Sequence, residues 1–118
     1  MSKNTEKFKK GTLEMLILKI ISVEDCYGYE IMQTINSISK NVLNITTGCM
    51  YPALYNLEEE GLIESYKKTA GKRMERVYYH ITEKGEKSLK EMKQDYYDVV
   101  FATDAVLKYE KNATESEE

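Results

Sequence analysis

TTGCMYPALYNLEEEGL, residues Thr46 to Leu62, reads as one helix with an unusual front half. Thr46 is a suitable N-cap and Gly61 a suitable stop. Met50, Ala53, Leu54 and Leu57 recur at helical spacing and mark a core face. The opposite face carries Gly48, Tyr51, Pro52 and Tyr55, where a solvent-facing helix would ordinarily carry charge. Its acids, Glu58, Glu59 and Glu60, are all at the C-terminal end. Two aromatics and a proline directed toward water need a reason.

On the N-terminal side, Leu13, Leu16, Ile17, Ile20 and Ile21 follow the i, i+3, i+4 rule, so Thr12–Val23 is an amphipathic helix, with Met15 and Leu18 widening its apolar face. Residues 1–9 are polar and expected to be frayed or weakly helical. Glu24–Tyr27 is a break. A second helix is predicted from about Gly28 to Ser39, with Ile31, Met32, Ile35 and Ile38 inward, and Asn41–Ile45 is a loop. On the C-terminal side the period changes to two. Ile63–Thr69 and Arg73–Ile81 read as the strands of a hairpin turning at Ala70-Gly71-Lys72, with Val77, Tyr79 and Ile81 on one face. Thr82 then caps a helix running to about Tyr109, roughly 40 Å long.

The predicted fold is therefore mainly α with a small β-hairpin: a winged helix-turn-helix over residues 1–81, a long C-terminal helix over 82–109 and a disordered acidic tail over 110–118. The Thr47–Glu60 helix is the expected recognition helix. Its acid-free N-terminal half suits the major groove, where the helix dipole and free amides favour phosphate. Gly48 admits close backbone approach, and the Tyr51 and Tyr55 hydroxyls suit phosphate or base-edge contacts. The net charge of −3 argues against a generally basic nucleic-acid binder, but charge is unevenly spread. The window Lys67–Arg76 holds five basic residues against one Glu, a concentration suited to a wing that contacts the DNA backbone. Thr46, Thr47, Gly48, Tyr51, Pro52, Tyr55, Lys68, Lys72, Arg73 and Arg76 are the expected DNA-binding residues. The alternative use of the same tyrosines is an interface for another protein.

In the last helix, Leu89, Met92, Tyr96, Val99, Thr103 and Val106 alternate by three and four, as in a coiled-coil seam. Val100, Phe101, Ala105 and Leu107 add a second apolar surface. One surface can be covered within the chain and the other needs a partner, so a homodimer through Leu89, Met92, Tyr96, Val99, Val100 and Val106 is expected; the alternative is a helix folded back on its own subunit. A cavity between the N-terminal and last helices, lined by Met15, Met92, Tyr96 and Val100, is the expected place for a small hydrophobic effector.

Enzyme chemistry is not indicated. The only histidine, His80, lies in a predicted strand, and the two cysteines, Cys26 and Cys49, form no CxxC pair. Cys49 near a helix start has the setting of a sensor thiol, though helix packing is the commoner use of such a residue. No cofactor or metal is expected. The apolar runs are too short for a membrane span, no stretch has the pattern of a secretory signal, and a cytoplasmic location is expected.

Four segments, in this order and spacing, carry a family resemblance: Tyr27-Gly28-Tyr29-Glu30, Gly48-Cys49-Met50-Tyr51-Pro52-Ala53-Leu54, Leu57-Glu58-Glu59-Glu60-Gly61-Leu62-Ile63 and Arg76-Val77-Tyr78-Tyr79-His80-Ile81-Thr82-Glu83-Lys84-Gly85. Over about residues 11–90 the chain resembles the PadR-like transcriptional regulators, and its single long C-terminal helix resembles their short subfamily. The resemblance implies a homodimeric repressor of an inverted-repeat operator related to ATGT–ACAT half-sites; a small hydrophobic or phenolic effector is the expected occupant of the cavity between the N-terminal and last helices. Tyr27 stands where many members have His, and Thr47 where proline is frequent. The lack of Trp departs from members whose drug pocket stacks on tryptophan.

Overall fold

The first helix begins earlier than the apolar pattern indicates. In the computed structural model, which describes residues 3–71 and 74–111, α1 spans Lys3–Val23. Its polar first turns are tied down by Lys9, whose buried ammonium pairs with Glu6 at 3.0 Å and reaches the Asn44 carbonyl at 3.4 Å. Leu13, Ile17, Leu18 and Ile21 supply its buried stripe.

The remaining elements are β1 (Cys26–Tyr27), α2 (Gly28–Ile38), α3 (Thr47–Glu59), β2 (Ile63–Ala70), β3 (Met74–Ile81) and α4 (Glu83–Leu107). In α2, Gly28, Ile31 and Ile35 face the core, but Ile38 is 71% exposed, because the helix ends there and the chain turns away. Lys40, Asn41 and Asn44 take positive φ in the following turn. Asn36 holds that turn in place. Its Oδ1 accepts from the Ile45 amide at 2.6 Å and its Nδ2 donates to the Ile45 carbonyl at 3.0 Å, which seats Ile45 in the core just before α3.

The start of α3 is capped through sulfur. The Thr46 amide donates to Cys49 Sγ at 3.4 Å, while Sγ lies 3.3 Å from the Thr46 carbonyl. Met50, Ala53, Leu54 and Leu57 are buried. The helix ends in a Schellman turn: Gly61, at φ +76°, donates to the Glu58 carbonyl, and Leu62 donates to that of Leu57.

The hairpin pairs Ile63 with Ile81 through Ala70 with Met74. The segment read as a plain break contributes a third strand: β1 pairs antiparallel with β3, Cys26 opposite Tyr79 and Tyr27 opposite Tyr78, giving the order β1-β3-β2. Ile63, Tyr79 and Ile81 reach the core, whereas Val77 lies beyond it on the projecting part of the hairpin and is exposed. Thr82 caps α4 by accepting from the Gly85 amide at 3.0 Å. Its hydroxyl also lies 2.8 Å from the Gly61 carbonyl. Lys84 donates to the Glu60 carbonyl at 2.8 Å. Gly85 sits so close to the Leu62 carbonyl that any side chain there would collide with it. The helices and sheet enclose one core of apolar side chains, and α4 joins it through Leu89, with Met92 packed at its edge.

Candidate nucleic-acid interface

The residues expected at the front of α3 form one exposed surface. Thr46, Thr47, Gly48, Tyr51, Pro52 and Tyr55 are all on the solvent side. Pro52 has no amide hydrogen for the Gly48 carbonyl, so the outward side of the first turns has a free acceptor as well as the free amides of a helix start. No acid lies in the first turn. The two tyrosines differ. Tyr55 is 65% exposed. Tyr51 is 47% exposed and its ring lies over Gly28 at the start of α2, where an added Cβ would stand 2.7 Å from the phenol oxygen.

On the wing, strand alternation divides the basic residues. Lys68 and Arg76 are direct partners across β2 and β3, on the face that turns away from the core, and Lys67 is on the other face. Both outer-face cations lie over aromatic rings. Lys68 Nζ is 5.2 Å from the centre of Tyr78, and the Arg76 guanidinium is 4.2 Å from that of Tyr27. Tyr78 meets Tyr27 edge-on at 5.6 Å and stacks on Tyr66 at 5.8 Å. This packing separates two like charges that face each other. Lys72 and Arg73 are outside the described residues, as is the tail from residue 112 onward.

Sequence reasoning missed the tyrosine platform and the polar group beside it. Asp25, just before β1, takes a hydrogen bond from Tyr66 at 2.7 Å and lies 2.8 Å from His80 Nδ1. The bond from Tyr66 holds the Asp25 carboxyl below its ordinary value, with His80 contributing further. The same bond pushes the Tyr66 phenol up to about 12. Asp25 in turn raises His80 above its ordinary value. The signal was present in the alternation of Tyr66, Tyr78 and His80, but it needs the hairpin register and β1 to become a cluster. Cys26 is buried and its thiol is pushed up to about 11, chiefly by desolvation, so it is a poor nucleophile.

Leu89, at one end of the expected dimer seam, is buried within its own chain. From Tyr96 onward α4 projects with Tyr96, Val99, Val100, Phe101, Val106 and Leu107 exposed. Between this projecting part and the first half of α1 lies an open groove of about 1130 Å³, whose lining includes Phe8, Met15, Met92, Tyr96, Val99 and Val100. Among the described residues, no group of His, Cys, Asp and Glu side chains is placed to hold a metal ion, and no helix is long and apolar enough to cross a membrane.

Comparison with known proteins gives a consistent result. The sequence model of the "Transcriptional regulator PadR-like family" matches residues 17–91. A PadR-like transcriptional regulator from Bacillus cereus of known crystal structure is 38% identical, with a TM-score of 0.76 over 88% of this chain and 99% of that one. A PadR family transcription regulator from Clostridium difficile is 31% identical, with a TM-score of 0.72 over 81% of this chain and 98% of that one. Transcriptional regulator YqjI of Escherichia coli is 31% identical over 87 residues, which are 74% of this chain and 40% of that longer protein.

Proposed function

The chain belongs to the PadR-like family of DNA-binding transcriptional regulators, and from that premise we propose that it is a homodimeric repressor of an inverted-repeat operator. Residues 1–81 are the DNA-binding unit. Thr46, Thr47, Gly48, Tyr51, Pro52 and Tyr55 enter the major groove, and Lys68, Lys72, Arg73 and Arg76 hold flanking phosphates. Residues 82–109 join the two subunits, with Met92, Tyr96, Val99, Val100 and Val106 meeting a second copy, Leu89 closing the inner end of the seam, and residues 110–118 forming an acidic tail.

The observation that carries this reading is that one chain presents two exposed surfaces of different kinds. One is the uncharged, aromatic front of α3, and the other is the apolar outer part of α4. The apolar stretch is too extensive for a monomer in water. Two-fold pairing through it presents two copies of α3 to successive major grooves, as an inverted repeat requires. A small hydrophobic or phenolic effector is accommodated by the groove beside Met15, Met92, Tyr96 and Val100. It regulates to the extent that it binds one spacing of the subunits better than another.

The deciding experiment is footprinting of the chain on DNA upstream of its own coding region, together with sedimentation of the complex. Protection of two symmetric half-sites by two copies is expected. Protection of a single site by one copy overturns the dimer, and binding without sequence preference leaves the α3 tyrosines to a protein partner.

A further inference from the structure

Beyond Ile63, Tyr79 and Ile81 the hairpin has no buried anchor among its described side chains: Tyr66, Lys67, Lys68, Thr69, Glu75 and Val77 are exposed. A two-stranded ribbon by itself is marginally stable, so its direction depends on whatever tethers it. Two side-chain contacts tether it outside the strands: Ser65 of β2 donates to Glu58 of α3 at 2.6 Å, and Asp25 engages both strands. One Asp25 carboxylate oxygen takes the Tyr66 hydroxyl of β2 at 2.7 Å, and the other is 2.8 Å from His80 of β3. A single side chain next to the end of α1 thus bridges both wing strands to the helical body. Through Tyr66 and its stacked neighbour Tyr78, it also connects to the ring beneath Lys68.

We propose that Asp25 is a positioning residue for DNA binding: acting through Tyr66 and His80, it fixes the direction of the wing relative to α3, and its grip loosens when His80 loses its proton. The proposal rests on the DNA-binding reading above. The surroundings set the sign of the pH response. His80 faces Asp25 from the α1–β1 connection, Glu64 opposite it on β2 and Glu86 on α4, while Asp25 itself takes the Tyr66 bond and feels the charge of Lys68. Three carboxylates surround the imidazole, so its charged form is favoured, with the Asp25 hydrogen bond the largest cause and desolvation opposing it. A group raised above its ordinary value of 6.5 contributes fully below that value and loses its contribution as pH rises through the raised one. Asp25 is held below 3.8 and stays ionised throughout this window. The charged clasp is therefore closed below the ordinary imidazole value of 6.5 and relaxes as pH rises through the raised one.

The test uses the full chain and two readouts. His80 is the only histidine, so its imidazole NMR signals can be followed without ambiguity. The wild-type midpoint should lie above that of Asp25→Asn. Operator affinity is then measured by fluorescence anisotropy from about pH 6 to pH 8.5, with a duplex enriched from random sequences for binding to the wild-type chain. Wild-type affinity should fall about two- to fivefold as pH rises, the range of an exposed ion pair. His80→Gln, which keeps an uncharged donor, should be flat and should match wild type at the alkaline end. Asp25→Asn should be flat and weaker at the acid end, with circular dichroism confirming that both variants fold. A His80 midpoint unmoved by Asp25→Asn overturns the proposal, since the clasp then does not form in solution. Specific binding with no pH dependence also overturns it and leaves the DNA-binding reading intact. No enrichment of any sequence at any pH removes both.

Discussion

The ring of Tyr51 in α3 lies against Gly28 at the first position of α2, where no side chain larger than hydrogen fits under it. The two helices of the helix-turn-helix thus meet through a residue expected to touch DNA. Gly28→Ala would place a methyl group 2.7 Å from the phenol oxygen. Because the obstructing atoms are the far end of a side chain, the ring can swing aside, and the fold should lose only about 1 kcal/mol. Operator affinity should nonetheless fall, since Tyr51 is displaced. In a double-mutant cycle, Gly28→Ala should have no further effect on affinity once Tyr51 is Ala. Independent, additive losses would show that the contact does not orient the tyrosine.

Tyr55 offers the cleaner probe of the helix face. It is largely exposed. Tyr55→Ala should change stability by less than about 0.5 kcal/mol and weaken operator binding by about 0.5–1.5 kcal/mol, the value of one hydrogen bond. Denaturant unfolding and anisotropy titration read the two quantities separately; unaltered affinity would remove Tyr55 from the interface.

Val99 tests assembly. It is 62% exposed in the single chain, so Val99→Asp should leave the subunit fold intact. In a dimer it would bring a carboxylate into an apolar seam at a cost of several kcal/mol. Light scattering should report a monomer, with operator affinity lost in parallel. A dimer of wild-type strength would mean that subunits meet elsewhere.

The wing is tested by salt. If Lys68, Lys72 and Arg73 each neutralise one phosphate, replacing all three with Ala should lower the slope of log affinity against log salt by about 2.7. Discrimination between operator and scrambled DNA should change much less, because phosphate contacts position the protein without reading bases. An unchanged slope with specific binding would redirect attention to Lys3, Lys7 and Lys10 on the first turns of α1, which are exposed.

What could be read in advance follows physical range. The periodicities of Leu13–Ile21, Met50–Leu57 and Ile63–Ile81 are local, and each produced the element it indicated. Gly61 and Thr82 marked helix ends because caps are also local devices. The early start of α1 was hidden because it depends on Lys9 reaching the Asn44 carbonyl, 35 positions away. Two residues, Cys26 and Tyr27, are too few for a period, so β1 became visible only through its pairing with β3. The outward front of α3 was legible as a face, whereas the seating of Tyr51 on Gly28 was not. The Asp25 cluster was invisible for the same reason: it joins positions 41 and 55 residues apart.

The junction around Thr82 has a mechanical meaning. The Thr82 hydroxyl, the Thr82 amide and the Lys84 ammonium all donate to carbonyl groups of residues 60–62, where α3 ends. These bonds weld the foot of a 25-residue shaft to the heel of the reading head. In a dimer clasped along α4, the crossing angle of the two shafts sets the gauge between the reading heads. A few degrees of scissoring would carry them off the pitch of the double helix while every side chain at the DNA surface kept its own conformation. A dimer built this way would be switched by wedging its handle, with nothing touching the blade.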